Sequence, residues 1–300
     1  MQNKRILVIG SSNTDMTIKC GNLPLPGETV LGGQFLTGAG GKGANQAVAA
    51  ARLGGDVALV CKVGKDDLGD KAVKGYEKEG IDTSGILRSE QPSGVALILV
   101  DENGENSIAV APGANGDLTP QDIESVADII RSAGVLLLQL EIPVESVLRA
   151  AQIANEAGVY VILNPAPARK LPEEIYPCIS LITPNRTETA TMTGFDVSDE
   201  YSAREAVRGL LAKGVGEVAL TMGAEGSLVY SKGMFNHIAA MKVEAVDTTA
   251  AGDTFCGALA VAIAEGKSLG ESAVFATKAS ALTVQKMGAQ SSIPYRNEIK

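Results

Sequence analysis

Six short segments that are apolar almost throughout, at 6–9, 57–60, 135–138, 159–163, 179–182 and 218–221, alternate with amphipathic stretches of helical period. The helical stretches fall at 44–53, 66–79, 120–133, 143–157, 202–213, 253–265 and 269–286. A strand without polar positions must be covered on both faces, and strands separated by helices join in parallel through right-handed crossovers. The alternation predicts an α/β fold, a three-layer αβα sandwich about a central, mostly parallel, Rossmann-like sheet. The ligand site is expected at the carboxyl ends of the strands. Two segments, 15–37 and 93–112, break the rhythm. Pro24-Leu25-Pro26-Gly27 and Glu102-Asn103-Gly104 split them into short strand-like pieces, and Asn-Gly between 95–100 and 107–110 reads as a hairpin. Such pieces cannot enter the sheet as crossover units. They are expected to form a small β-sheet over the strand ends, a lid whose open face a second subunit would cover, giving a homodimer. On this reading residues 1–300 make one domain with that lid.

Composition narrows the function. Hydrophobic residues make up 45% and charged residues 20%, enough for a large core, but aromatics are only 4% and Trp is absent, so the core must be aliphatic. Few aromatics and a net charge of -9 argue against a nucleic-acid partner, which needs stacking platforms and a basic face. The four cysteines, Cys20, Cys61, Cys178 and Cys256, are scattered without CxxC spacing and read as reduced thiols of a cytoplasmic protein. The N-terminal stretch reads as a first strand rather than a leader, and no segment reaches the apolar length of a membrane span. His237 is the only histidine, which excludes His-based metal clusters; a core or surface role is expected for it.

Chemistry concentrates in Asp247-Thr248-Thr249-Ala250-Ala251-Gly252-Asp253-Thr254-Phe255. A polar turn here meets a nearly all-apolar helix, leaving a carboxylate where the helix begins. First-turn amides lack internal partners and the helix dipole adds positive charge, so an anion site would lie beside a proton acceptor. That pairing suits phosphoryl transfer to a hydroxyl; the alternative is that Asp253 only caps the helix. Gly38-Ala39-Gly40-Gly41-Lys42-Gly43 matches GxGxxG, but a glycine pair interrupts the segment before it and Asp56 precedes the next strand instead of ending it. The dinucleotide reading therefore fails, and the Walker A spacing fails too. What remains is either a close backbone approach to a ligand, with Lys42 and Asn45 facing it, or a tight packing turn. Thr221-Met222-Gly223-Ala224-Glu225-Gly226 could hold phosphates or form a hairpin loop. Asn185-Arg186-Thr187-Glu188 could supply oxygens for Mg²⁺ or serve helix-start chemistry.

Together these residues resemble the ribokinase family of sugar kinases over nearly the whole chain. The resemblance rests on Gly10-Ser-Ser-Asn13-Thr-Asp15, Gly40-Gly-Lys-Gly-Ala-Asn45-Gln-Ala, Gln139-Leu-Glu141, Asn164-Pro-Ala-Pro, Asn185-Arg-Thr-Glu188, 247–255 and Lys286-Met-Gly288-Ala-Gln-Ser-Ser292. It implies ATP-dependent phosphorylation of a sugar's primary hydroxyl, with Mg²⁺ and a stimulating K⁺. The 5-hydroxyl of D-ribose is the expected acceptor. Asp253 is implied as the base, and the amides of Ala250, Ala251 and Gly252 as the γ-phosphate anion hole. Asn13, Asp15, Gly41, Lys42, Asn45 and Glu141, with Asp253, are implied as sugar contacts. Asn185, Thr221, Gly223, Gly226 and Gly252 are implied for the nucleotide, and Glu188 for Mg²⁺ through water. Asp247, Thr249, Thr283, Lys286, Gly288 and Ser292 would ring K⁺, mostly through backbone oxygens. Arg186 stands where many relatives carry Glu, Thr283 and Lys286 match by position alone, and Met16 adjoins a sugar-contact acid. Competing expectations are a sibling kinase for deoxyribose, another sugar or a nucleoside, and a sugar-binding protein that has lost catalysis.

Overall fold

We describe residues 4–300 of a computed structural model; residues 1–3, the start of the stretch read as a first strand rather than a leader, lie outside the described residues. The main sheet has eight strands, in the spatial order Met234–Ile238, Ser227–Ser231, Glu217–Thr221, Leu181–Ile182, Tyr160–Leu163, Val135–Leu138, Ile6–Ile9 and Val57–Val60. The last six of these run parallel, and the first two form an antiparallel hairpin edge. Ile6–Ile9 lies between Val57–Val60 and Val135–Leu138, so the chain first moves to one side of it and then crosses back to the other, a reversal of strand order that opens a crevice at its carboxyl end.

Every residue of Ile6–Ile9 is fully buried, and the pleat sends them alternately into two cores. Leu7 and Ile9 pack with Leu136, Leu138, Ile123, Ile130 and Val147 on one face; Ile6 and Val8 pack with Val135, Leu137, Ala47 and Leu259 on the other. Double coverage is why these strands read as unbroken apolar runs. Helices Lys42–Arg52, Ala251–Ala264 and Leu269–Thr283 cover the second face and bury many alanines. Small side chains let these helices pack closely. Gly257 shows how closely: a Cβ there would lie 2.7 Å from Ala49 Cβ and 2.8 Å from Gln46 O.

The inserted segments form the expected second sheet, in the order Gln34–Gly40, Asn13–Lys19, Gly94–Val100 and Asn106–Ala111. The strands of the first segment run beyond the expected 15–37, from Asn13 to Gly40, and those of the second lie within 93–112. The Asn-Gly hairpin is present, with Asp101 Oδ1 accepting the Asn103 and Glu105 amides across the turn.

The structure also differs from the sequence reading. The 38–43 segment is not one glycine loop: 38–40 end a strand, and Gly41 at φ 87° caps the helix that starts at Lys42. The stretch 120–133 is two helices, Pro120–Ser125 and Ala127–Arg131, broken at Val126. The break keeps Ile123, Val126, Ala127 and Ile130 all buried. The last long helix ends at Thr283, where tighter turns lead the chain toward residue 288. The helix at Arg186–Thr193 was anticipated only as the helix-start alternative for Asn185–Glu188, and a small parallel pair, Lys62–Gly64 with Leu87–Ser89, was not anticipated. Both are too short for their period to stand out. No helix among the described residues is long and apolar enough to cross a membrane, and the four cysteines are unpaired.

Candidate active site

Five parallel strands deliver residues to the crevice from their carboxyl ends: Ser11 to Asn13 after Ile9, Gln139 to Glu141 after Leu138, Asn164 after Leu163, Thr183 to Asn185 after Ile182, and Thr221. With the starts of two helices and one face of the small sheet, they enclose a cavity of about 410 Å³. Asn13, Asp15, Gly41, Lys42, Asn45, Glu141, Asn185, Glu188, Thr221, Thr249, Ala250, Gly252 and Asp253 all line it. The small sheet contributes Ala96, Ile98, Ile108 and Val110 as an apolar wall.

Asp253 sits in the first turn of Ala251–Ala264 and is only 6% exposed. It does not cap its own helix; the cap position is Ala250, at φ 60°, with no side-chain hydrogen bond. Instead its carboxylate is held from the neighbouring helix. Asn45 Nδ2 donates to Oδ2 at 2.9 Å and Gln46 Nε2 to Oδ1 at 3.0 Å. Gln46 Nε2 also donates to Asn164 Oδ1 at 3.0 Å, and Gln46 Oε1 accepts from Gln139 Nε2 at 2.6 Å. The close helix crossing at Gly257, one turn beyond Asp253, brings Asn45 and Gln46 within reach. Because Asn45 commits its amide nitrogen to Asp253, its Oδ1 is left buried without a hydrogen-bond partner. Of the three amides expected to form an anion hole, that of Ala251 donates to Thr248 O at 3.2 Å, closing a turn. A Cβ on Gly252 would meet nothing within 4 Å, so this backbone stays open to a ligand in the cavity.

Further acidic groups line the cavity. Glu141 Oε2 accepts from Ser11 Oγ at 2.6 Å and from the Lys42 amide at 2.9 Å. Burial, with the charges of Glu141 and Asp253, raises the Asp15 pKa to about 6. Burial disfavours the Lys42 ammonium, but Asp253, Glu141 and Glu188 outweigh it and hold its pKa above the ordinary lysine value. Burial lifts Glu188 above the usual carboxylate range, and pushes the adjoining Cys256 thiol up to about 12. Cys256 is therefore a protonated packing group here.

Asn185 and Glu188 realise the helix-start alternative. Asn185 Oδ1 accepts the Glu188 amide at 2.8 Å, and Glu188 accepts from the Asn185 amide at 2.8 Å and from its Nδ2 at 2.9 Å. Both residues of this capping box line the cavity, Glu188 buried and Asn185 exposed, so helix-start chemistry and a site position coincide. Arg186 pairs with Glu225 at 2.6 Å, tying the box to the turn between Glu217–Thr221 and Ser227–Ser231. Gly223 and Gly226 lie in that turn and do not line the cavity. The hairpin alternative accounts for both by backbone geometry, φ 61° and 92°. Asp247, Thr283, Lys286, Gly288 and Ser292 also lie off the cavity wall. Asp247 joins their loops, accepting the Thr249 amide at 2.9 Å and the Gly288 amide at 2.8 Å. Burial opposes its charge, yet these hydrogen bonds hold its pKa below the usual range.

A family model for pfkB family carbohydrate kinases matches residues 3–296. The chain belongs to this kinase family. It is 45% identical over 296 residues to the ribokinase of Haemophilus influenzae, spanning 98% of this chain and 97% of that one. Among solved structures of ribokinases, that from Thermotoga maritima matches with TM-score 0.91 at 40% identity, covering 98% of this chain and 97% of the other. The Arabidopsis thaliana enzyme, complexed with ribose and ATP, matches with TM-score 0.91 at 33% identity, covering 100% and 98%. The family expected from the motifs is the one found. What sequence reasoning missed in this kinase site is the relay through Gln46, Gln139 and Asn164. Its signal was available: Gln46 follows Asn45 at the head of an alanine-rich run, and a buried amide requires partners.

Proposed function

We propose that this chain is an ATP-dependent sugar kinase that phosphorylates the 5-hydroxyl of D-ribose, giving ribose 5-phosphate and ADP. The observation that carries the reading is Asp253: a buried carboxylate in the first turn of an apolar helix, aimed by Asn45 and Gln46, in a cavity rimmed by hydroxyl-binding groups. Asp253 takes the proton of the attacking hydroxyl as its oxygen adds to the γ-phosphorus and the bond to the ADP oxygen breaks. The open backbone at Ala250 and Gly252, with the helix dipole, receives the charge that develops on the phosphoryl oxygens. The Ala251 amide joins them once its turn bond to Thr248 yields. Asn13, Asp15, Gly41, Lys42, Asn45 and Glu141 bind and orient the sugar. Thr221, Asn185 and the turn carrying Gly223 and Gly226 border the nucleotide.

Glu188, with the neutral amide of Asn185, fits Mg²⁺ held through water, since each Glu188 oxygen takes one hydrogen bond from Asn185 and keeps lone pairs to spare. A bound Mg²⁺ supplies charge neutralisation on the phosphates. Asp247, Thr249, Thr283, Lys286, Gly288 and Ser292 fit K⁺: their loops are already stitched by Asp247 and are rich in oxygens. They would keep the helix start rigid. The small sheet acts as a lid that excludes water from the cavity, and the chain works as one kinase unit. Its four unpaired thiols accord with the cytoplasm.

Measurement of ADP release across pentoses, hexoses and nucleosides, with and without K⁺, tests the reading. Turnover is expected with ribose, raised by K⁺; release no faster with ribose than with ATP alone would refute it. The apolar residues exposed on the small sheet, including Phe35 at 60% and Leu97 at 55%, favour a homodimer formed through the lid. Light scattering at micromolar concentration should return twice the chain mass, and a monomer would remove the dimer from the proposal.

The Asp15 pKa predicts a pH profile. Below about 6 the Asp15 carboxyl holds its proton and no longer offers sugar hydroxyls a charged acceptor. Values of kcat/KM for ribose should therefore fall as pH drops through about 6, and Asp15→Asn should flatten that limb. A ribose kcat/KM constant across that limb would contradict the assignment. Stability moves the other way for this group: its contribution is full below the ordinary value of 3.8 and is lost as pH rises through about 6.

A further inference from the structure

The chain passes between the main body and the small sheet at Ser12–Asn13, at 40–41, at 93–94 and at 112–113. Three of these passages meet at one fully enclosed side chain, Asn115, in the short 3₁₀ turn Gly113–Asp117. Asn115 Oδ1 accepts the Ser12 amide at 2.8 Å. Asn115 Nδ2 donates to Ser12 O at 3.1 Å and to Asn13 Oδ1 at 2.7 Å. A backbone N–H can only donate, so the Ser12 amide dictates which end of Asn115 is oxygen. That in turn leaves Asn13 no choice: its Oδ1 must face Asn115, and its Nδ2 is the end left for the cavity that Asn13 lines. Gly94 seals the arrangement. A Cβ there would lie 2.2 Å from Asn115 Nδ2 and 2.3 Å from Asn13 Oδ1, so only glycine lets the lid strand pair with Asn13 at this register.

The polarity matters because the cavity is rich in acceptors. Asp15, Glu141 and Asp253 bring carboxylates to its wall. A sugar hydroxyl that donates to one of these still needs a donor for its own oxygen. We propose that Asn115 is a positioning and specificity-determining residue, which locks the Asn13 amide as a hydrogen-bond donor to a sugar hydroxyl and ties that lock to the junction of lid and body. It touches no substrate and acts through Asn13.

The inference rests on the sugar-kinase reading, and the test separates the two. Asn115→Asp keeps the acceptor for Ser12 but removes the donor, so Asn13 turns its oxygen outward. Its KM for ribose should rise on the order of tenfold, with KM for ATP within about twofold, because one oriented donor is lost and nothing near the nucleotide changes. In an Asn13→Ala background the same substitution should change ribose KM by less than about twofold, since a residue acting through Asn13 has nothing left to orient. Additive effects in this double-mutant cycle, or an unchanged ribose KM in Asn115→Asp, would overturn the assignment. Should Asn115→Asp not fold, Asn13→Asp supplies the second measurement. It still accepts from Asn115 but presents no donor, and should show the same selective rise; a wild-type ribose KM would again overturn the proposal. A wild-type chain without sugar-kinase turnover would instead refute the proposed function itself.

Discussion

Replacing Asp253 with Asn should lower turnover by at least ~10²-fold, the scale of a positioned general base, while ribose and ATP still bind within a few-fold of wild type. The substitution is nearly isosteric in a side chain that is 6% exposed, so packing changes little. What changes is the proton inventory. The carboxylate accepts from Asn45 and Gln46 and can still accept the proton of a sugar hydroxyl; an amide cannot take that proton. Single-turnover kinetics with ribose and ATP measure the chemical step directly. A rate within a few-fold of wild type would mean that Asp253 is a structural group and that another acceptor serves the reaction.

The next largest effect is expected at Gln46, which touches no cavity space and yet holds the site together. Gln46→Leu removes the donor to Asp253 Oδ1 and Asn164 Oδ1, and the acceptor for Gln139 Nε2. Each polar group left buried and unpaired costs about 1–3 kcal/mol, so the three together are expected to cost several kcal/mol of stability. Turnover should also fall about tenfold or more, because a carboxylate held at one oxygen instead of two no longer keeps its direction. Thermal unfolding and kcat on the same preparation check both parts. Wild-type Tm and kcat together would show that the relay carries neither stability nor geometry. Gln46→Glu is a useful companion. It keeps the length but sets a second acid against Asp253, so it should impair turnover with a distinct pH dependence.

The Asn185–Glu188 motif shows how one arrangement can satisfy two readings. Its residues form a complete capping box, which would explain them without any ligand, yet both line the cavity, with Glu188 buried there. Arg186, the residue that departs from the usual family pattern, finds its partner in Glu225 across the gap to the neighbouring turn. The changed charge is thus matched by an acid close by, and both ends of the motif keep their geometry.

Much of this protein was legible before any tertiary structure. Unbroken apolar runs at 6–9, 57–60 and 135–138 became strands with those same limits, because burial on both faces leaves a mark at every residue. The extra sheet was legible from turn chemistry, which acts within a few residues. Asp253, Lys42 and Asn45 were legible because charged or amide side chains interrupt apolar or glycine-rich runs, and Glu141 through the family resemblance alone. Helix breaks at Val126 and Thr283 were not, since the period of the sequence continues through them and only packing decides where the axis turns. Nor could local pattern show that Gln46, Gln139 and Asn164 converge on one carboxylate, or that Asn115 sets which end of Asn13 faces the cavity. Those relations join residues about a hundred or more positions apart. Sequence by itself determined the periodic and turn-local features, whose energetics are short-ranged. The orientation of each functional side chain was decided by contacts that exist only after the sheet, the helices and the lid have come together.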